Sequence, residues 1–175
     1  LKAGSLKGMQ AAQFSLPALD ENDIYRHLEL DWVTPELRED TGEIIAAENG
    51  KLPELIVQGD IKGALHNHTT LSDGEASLEQ MADAARKIGW KWLGLADHSP
   101  TLKIANGASA DDLLSQGETI RKYNSEWAVD NVDFRLFHGV ESDILEGGRL
   151  DHPDDVLSQL DYTVASVHAI GKWKN

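Results

Sequence analysis

The sequence predicts an α/β fold in which four parallel strands alternate with helices, preceded by a short and mostly helical segment. Two observations lead to this prediction. From about residue 60 onward, short apolar runs alternate with amphipathic stretches that carry helix-capping residues. Before that point the sequence has helical pieces but no strong strand pattern. Strands separated by helices favour parallel β/α units over an antiparallel meander.

The upstream segment contains two short predicted helices. Asp20 stands before Ile24 and Leu28, whose spacing is helical, and extended chain over 32–35 ends this first helix. A second helix is predicted over 43–48, followed by Asn49-Gly50, a typical helix stop.

The strands and helices of the second segment follow in strict alternation. Ser77 and Gln80 have the spacing of a capping box, and Pro153 suits the first turn of a helix. The predicted strands cover 61–65, 92–96, 134–140 and 162–167, and the predicted helices cover 78–88, 111–127 and 153–160.

Composition limits the possible functions. The chain has 175 residues and 41% apolar residues, enough for one sizeable core with an extension. Sixteen basic residues against 30 acidic ones give a net charge of −14, which argues against nucleic-acid binding through a broad basic surface. The chain has no cysteine, so a metal site would have to use His, Asp and Glu. No apolar run approaches the roughly 18 residues of a membrane span, which predicts a cytoplasmic protein with no membrane partner.

Residues of metal-binding types stand at all four predicted strand ends. A single H-x-H pair is weak support for a metal site, but His66 and His68 should point the same way, about 7 Å apart along the strand. Parallel strands end at one edge of a sheet, where function gathers in such folds. We therefore predict that six side-chain tips lie within about 10 Å of one another at that edge: His66, His68, Asp73, His98, Glu141 and His168.

Three other histidines are predicted to lie outside this group. His27 falls in the first upstream helix, and His152 falls in a turn. His138 is three residues before Glu141, so on a strand it should face the opposite side. Each of these three histidines is more simply explained as a structural residue than as a metal ligand.

Four segments resemble the sequence motifs of the polymerase and histidinol phosphatase (PHP) superfamily. They are His66–Gly74 (HNHTTLSDG), Leu95–Pro100 (LADHSP), Gly139–Glu141 (GVE) and Ala165–His168 (ASVH). The resemblance implies a distorted barrel of seven (βα) units, of which this chain holds about four. It also implies hydrolysis of phosphate esters by a cluster of up to three divalent ions, zinc or manganese.

The same resemblance implies a role for each of the six residues. Glu141, His98 and Asp73 are the implied catalytic residues, and Glu141 can bridge two ions. The implied ligand sets are His66, His68 and Glu141 for one ion, Asp73 and His98 for a second, and His168 for a third.

The upstream segment resembles the end of the polymerase core in bacterial family X DNA polymerases. The matching residues are Ile24-Tyr25, Trp32–Glu39 and Gly42–Ile44. Those polymerases carry a C-terminal PHP domain with 3′–5′ exonuclease activity. The resemblance implies that residues 1–58 are a remnant of the thumb-like polymerase region with a linker, and that residues 59–175 are the N-terminal part of a PHP domain that hydrolyses DNA.

Two alternative functions stay open at this point. The chain could be a small-molecule phosphomonoesterase of the histidinol phosphatase type, or a non-catalytic PHP scaffold that stabilises a polymerase. The family supplies a further His, Asp and His after the fourth motif, and the chain ends at Asn175 without them. The expectation is therefore that a second copy, or a longer parent chain, completes the barrel.

Overall fold

The computed structural model describes residues 19–168, and the chain forms two compact units that divide between Leu55 and Ile56. In the first unit, helix α1 spans Glu21–His27 and helix α2 spans Glu43–Glu48, with a 3₁₀ turn at Pro35–Leu37 between them. Asp20 caps α1 by accepting a hydrogen bond from the backbone N–H of Asp23. The predicted upstream helices are both present.

Arg38 connects helix α1 to the chain around the buried Val33. Its guanidinium donates to both carboxylate oxygens of Glu21, at 2.8 and 2.7 Å, and to the carbonyl of the buried Val33. Bidentate pairing fixes the guanidinium plane, so α1 and the chain around Pro35 are joined at a defined angle.

The second unit is a curled half-barrel sheet of four parallel strands with helices between them, which confirms the predicted α/β class. The strands lie in chain order, β1-β2-β3-β4, as expected for consecutive β/α units. Their bounds are β1 Gly63–Asn67, β2 Trp92–His98, β3 Arg135–Asp143 and β4 Tyr162–Ser166; the helices are α3 Leu78–Lys87, α4 Ala110–Val129 and α5 Asp154–Leu157; 3₁₀ turns lie at Gln58–Asp60, Lys103–Ala105 and Glu146–Gly148.

The helices cover the convex side of the sheet. Leu93 and Leu95 of β2 are fully buried against α3 and α4, in a cluster that also includes Leu136 of β3. A second cluster joins Val140 of β3 to α4 and α5. Ser77 and Gln80 form the predicted capping box at the start of α3. Because side chains alternate along a strand, this packing leaves His98 and Glu141 on the concave side.

The ends of the strands differ from the prediction. β1 begins at Gly63 rather than at residue 61 and contains His66, and β2 and β3 continue to His98 and Asp143. His98 and Glu141 therefore lie within strands, where ladder hydrogen bonds fix their backbone positions: the two residues are direct partners in the β2–β3 register.

β1 contains a bulge that the sequence did not predict. Ala64 pairs with Leu93 and Asn67 pairs with Leu95, so β1 has one extra residue between these two pairs. His66, inside this interval, has a left-handed φ of 62°. A left-handed residue with a side chain is uncommon, and bulges of this kind redirect side chains near functional sites.

His138 is a buried histidine on the convex side of β3. Its ring packs against Gly117 of α4, where a Cβ atom would lie 2.6 Å from the ring. Burial lowers the pKa of His138 from 6.5 to about 4, and neither ring nitrogen has a hydrogen-bond partner among the described residues. The neutral ring is therefore the form that fits this core.

We predict that His138 makes the fold sensitive to acid. Between pH 6.5 and 4 the unfolded chain binds a proton that folded His138 does not. The stability that comes from the neutral His138 ring is therefore complete above pH 6.5 and is lost as the pH falls toward 4. At pH 5 the loss should be about 2 kcal/mol. The free energy of unfolding is measured in urea at pH 7.5 and pH 5. Between these pH values it should fall by about 2 kcal/mol more in the unchanged protein than in His138→Leu, because all other titratable groups are present in both. Equal losses would contradict the assignment.

Candidate metal centre

The Glu141 side chain lies at the middle of the concave edge, and three imidazoles approach one of its oxygens. From Oε2, the distances are 3.1 Å to His66 Nε2, 3.3 Å to His68 Nε2 and 3.0 Å to His98 Nδ1. These histidines come from β1, from the chain just after β1 and from the end of β2. The Glu141 side chain is only 7% exposed, so its charge is largely removed from water.

The second oxygen of Glu141 faces β4. His168 Nε2 lies 3.3 Å from Oε1, and the Ser166 hydroxyl donates to Oε1 at 2.6 Å. Asp143, at the end of β3, accepts hydrogen bonds from the backbone N–H of His168 and from its ring nitrogen Nδ1. Because Asp143 binds Nδ1, the other ring nitrogen of His168, Nε2, faces Glu141. A histidine held in this way by a carboxylate is typical of metal sites.

Asp73 closes the other side of the cluster. It follows β1 in a tight loop, and its carboxylate lies 2.8 Å from His68 Nδ1 and 3.4 Å from His98 Nε2. The hydrogen bond from His68 keeps the pKa of Asp73 below its ordinary value. His98 thus faces Glu141 with one ring nitrogen and Asp73 with the other.

All six residues that the sequence singled out come together, in three overlapping groups that could each hold a metal ion. Within each group the candidate ligand atoms lie within 4.8 Å of one another. His27, His138 and His152 belong to none of these groups among residues 19–168. The groups are His66, His68 and Glu141; His68, Asp73 and His98; and His98, Glu141 and His168.

The donor geometry fits metal ions better than it fits hydrogen bonds. His98 Nδ1 is buried and has no hydrogen-bond partner among the described residues, although Glu141 Oε2 is only 3.0 Å away, because the angles are wrong for a hydrogen bond. Ligands bound to zinc at 2.0–2.1 Å in a tetrahedral site stand about 3.4 Å apart. The separations of 3.0 to 3.3 Å around Glu141, and of 3.4 Å between Asp73 and His98, are therefore those of ligands that could share an ion. The shorter contact of 2.8 Å between Asp73 and His68 is a hydrogen bond.

The protonation states also suit metal binding. Burial, and then the neighbouring His68, lower the pKa of His98, which favours the neutral imidazole. Burial alone would raise the pKa of Glu141, but hydrogen bonds from Ser166 and His66 outweigh it, so the pKa lies below its ordinary value. Neutral imidazole and ionised carboxylate are the forms that bind divalent ions.

Asp97 is a structural residue of the site that sequence reasoning missed. Its carboxylate is fully buried on the helix-facing side of β2 and accepts hydrogen bonds from the backbone N–H and hydroxyl of Thr69, at 2.7 and 2.9 Å. It also accepts from Ser72 at 2.7 Å and from Gln116 of α4 at 2.8 Å. Asp97 therefore fixes the loop that carries Asp73. The sequence signals for Asp97 were its position next to His98 and its place in the segment Leu95–Pro100.

Comparison with known proteins identifies a family and several relatives. Residues 64–174 match the family described as PHP domain. The chain is 42% identical over 149 residues to a Bacillus subtilis protein named DNA polymerase/3′-5′ exonuclease PolX. It is 32% identical over 108 residues to a probable phosphatase of Caldicellulosiruptor bescii and 32% identical over 109 residues to one of Clostridium acetobutylicum.

The matches cover different shares of the proteins. The Bacillus match covers 85% of this chain and 25% of that protein, whereas the two phosphatase matches cover 60% and 61% of this chain and 40% of each relative. The chain thus spans a quarter to two fifths of the length of these relatives.

Within residues 19–168, none of the helices is both long and apolar enough to cross a membrane.

We predict that Asp97→Asn loosens the loop before α3. The amide replaces an acceptor oxygen with a donor facing other donors, so the free energy of unfolding should fall by about 3 kcal/mol. Hydrogen exchange at the Thr69 amide should accelerate. Asp133→Asn is the matched control, because the Asp133 side chain is 81% exposed and forms a surface ion pair with Lys91, and such a pair contributes at most about 1 kcal/mol. Equal stability of the two variants would contradict the role of Asp97.

Proposed function

Because the chain belongs to the PHP domain family, we propose that it provides the metal-dependent centre of a 3′–5′ exonuclease that acts on DNA. Its relatives are named as an exonuclease or as phosphatases, so phosphoester hydrolysis is the chemistry they share. The observation that carries the proposal is the approach of four imidazoles to the buried carboxylate of Glu141.

Each of the six residues of the cluster has a defined part in this proposal. Divalent ions, when bound, supply Lewis-acid activation of the phosphate and of the attacking water. Glu141 offers one oxygen to each side of the cluster and so can serve two ions, with Ser166 fixing its orientation. His66 and His68 complete one set of ligands, Asp73 and His98 belong to the second, and His168 belongs to the third.

The upstream part of the chain favours DNA over a small phosphate ester. The Bacillus match aligns 149 residues, more than the range 64–174 contains, so it extends beyond the PHP domain. The match to the Caldicellulosiruptor bescii phosphatase aligns 108 residues, which is no more than that range contains. On this proposal residues 1–58 are the end of a polymerase region with its linker, and residues 59–175 are the first part of the PHP domain. A polymerase next to the centre would bring it close to DNA ends.

On this proposal the ions contribute to substrate binding as well as to catalysis. At a net charge of −14 the protein repels a DNA backbone. Three divalent ions would add roughly six positive charges at one edge of the sheet. Activity should therefore depend strictly on added divalent metal, zinc or manganese.

A substrate comparison tests the proposed function. The purified protein is incubated with Mn²⁺ and a single-stranded oligonucleotide labelled at its 5′ end, and in parallel with p-nitrophenyl phosphate. Stepwise shortening from the 3′ end supports the exonuclease. Hydrolysis of p-nitrophenyl phosphate alone would favour the phosphomonoesterase instead, as in the named phosphatases. Bound metal without hydrolysis of either substrate would favour the non-catalytic scaffold.

We predict that Glu141→Gln removes hydrolysis while the fold is retained. The amide keeps the volume of the side chain but loses the charge that would hold two ions, so the rate should fall by at least about 100-fold. The rate is measured at saturating Mn²⁺, with circular dichroism as the check on folding. Glu146→Gln, the same change in the exposed 3₁₀ turn after β3, is the control and should keep the full rate. A Glu141→Gln rate close to that of the control would show that the assignment is wrong.

A further inference from the structure

The phenol of Tyr162 connects three strands beneath the metal centre. Tyr162 is the first residue of β4, yet its hydroxyl donates a hydrogen bond to the Leu95 carbonyl of β2 at 2.9 Å. The same hydroxyl accepts the backbone N–H of His66 in β1 at 3.2 Å. The side chain therefore crosses β3 and β2 to reach the far edge of the sheet.

Two glycines make room for this crossing. A Cβ atom on Gly139 of β3 would lie 2.5 Å from the Tyr162 ring, and one on Gly94 of β2 would lie 2.7 Å from its hydroxyl. Real Cβ atoms do not approach other atoms this closely. A glycine inside a strand commonly marks such a close approach, so both glycines are accounted for by the phenol.

The hydroxyl reaches β1 at its bulge. Regular pairing of β1 with β2 is interrupted between Ala64 and Asn67, and here the Tyr162 hydroxyl is hydrogen-bonded to the N–H of His66 and to the carbonyl of Leu95. The Asn67 side chain donates in the same interval to the carbonyls of Ala64 and Gly94. Two side chains, of Tyr162 and Asn67, thus bond to the backbone around the bulge.

The bulge determines where the His66 imidazole points. Leu65 already lies on the concave side, because a Cβ on Gly94 would meet both Leu65 and the phenol of Tyr162. In a regular strand the next residue would face the helices. The extra residue, with φ of 62° at His66, turns His66 to the concave side as well, where Nε2 lies 3.1 Å from Glu141.

We propose that Tyr162 is a positioning residue, which fixes the bulge in β1 so that His66 can join Glu141 and His68 at one ion. This inference rests on the proposed function only in taking the cluster to bind a divalent ion. The phenol acts through the backbone of His66, whose N–H is hydrogen-bonded to its hydroxyl.

Tyr162→Phe tests the proposal, since it removes the hydroxyl and keeps the ring. The first measurement is hydrogen exchange at the His66 amide in metal-free protein, where protection should fall at least about tenfold. The second is titration with Co²⁺, followed by its visible absorption, where affinity should fall about 10- to 100-fold and the band should change because a nitrogen ligand is displaced. Tyr123→Phe is the control, because Tyr123 stacks on Trp127 among the helices, and it should leave both measurements unchanged.

Gly139→Ala provides a second variant, since it displaces the ring without removing the hydroxyl and should lower the Co²⁺ affinity in the same way. Unchanged His66 protection in Tyr162→Phe would overturn the proposal, and so would lost protection with unchanged affinity and spectrum. If the unchanged protein bound no Co²⁺, the proposed metal function would fail. The exchange measurement would still decide whether Tyr162 holds the bulge.

Discussion

The buried carboxylate of Glu141 is the constraint on which the rest of the site depends. A charge removed from water is costly unless opposite charge or hydrogen bonds replace the lost hydration. Among the described residues, the Ser166 hydroxyl donates to it, and the other groups that face it are imidazole nitrogens. Neutral imidazoles do not balance a negative charge, whereas divalent ions among them do. Folding of the concave edge and ion binding should therefore be coupled.

The sheet makes this concentration of ligands possible. Parallel strands end at one edge, and the register pairs His98 directly with Glu141. The opposite faces of the same strands carry the core residues Leu95 and Val140, so helix packing fixes the side on which the ligands point. Asp97 uses the helix-facing side in another way, by holding the loop of Asp73 through Thr69 and Ser72. Both faces of β2 thus contribute to one centre.

Much of this arrangement could be predicted from the sequence, because local signals were strong. The capping residues at Asp20 and Ser77 marked helix starts, and the alternation of strands and helices implied a parallel sheet, which brought the six residues to one edge. The His66 backbone was less predictable. Alternation was the argument that placed His66 beside His68, yet Leu65 shares the concave side and a bulge is what turns His66. The position of the Tyr162 phenol could not be predicted from the residues around Tyr162. The sequence feature that indicated it was the pair of glycines at 94 and 139, inside two neighbouring strands.

Binding of divalent ions at Glu141 can be observed by anomalous X-ray diffraction. Crystals grown with Mn²⁺ would be measured above and below the manganese absorption edge. We expect an anomalous peak within about 2.0–2.3 Å of a Glu141 oxygen, and at least one such peak within bonding distance of His66 and His68 as well. Ordered manganese found only elsewhere on the protein, with Glu141 hydrogen-bonded to protonated imidazoles, would contradict it.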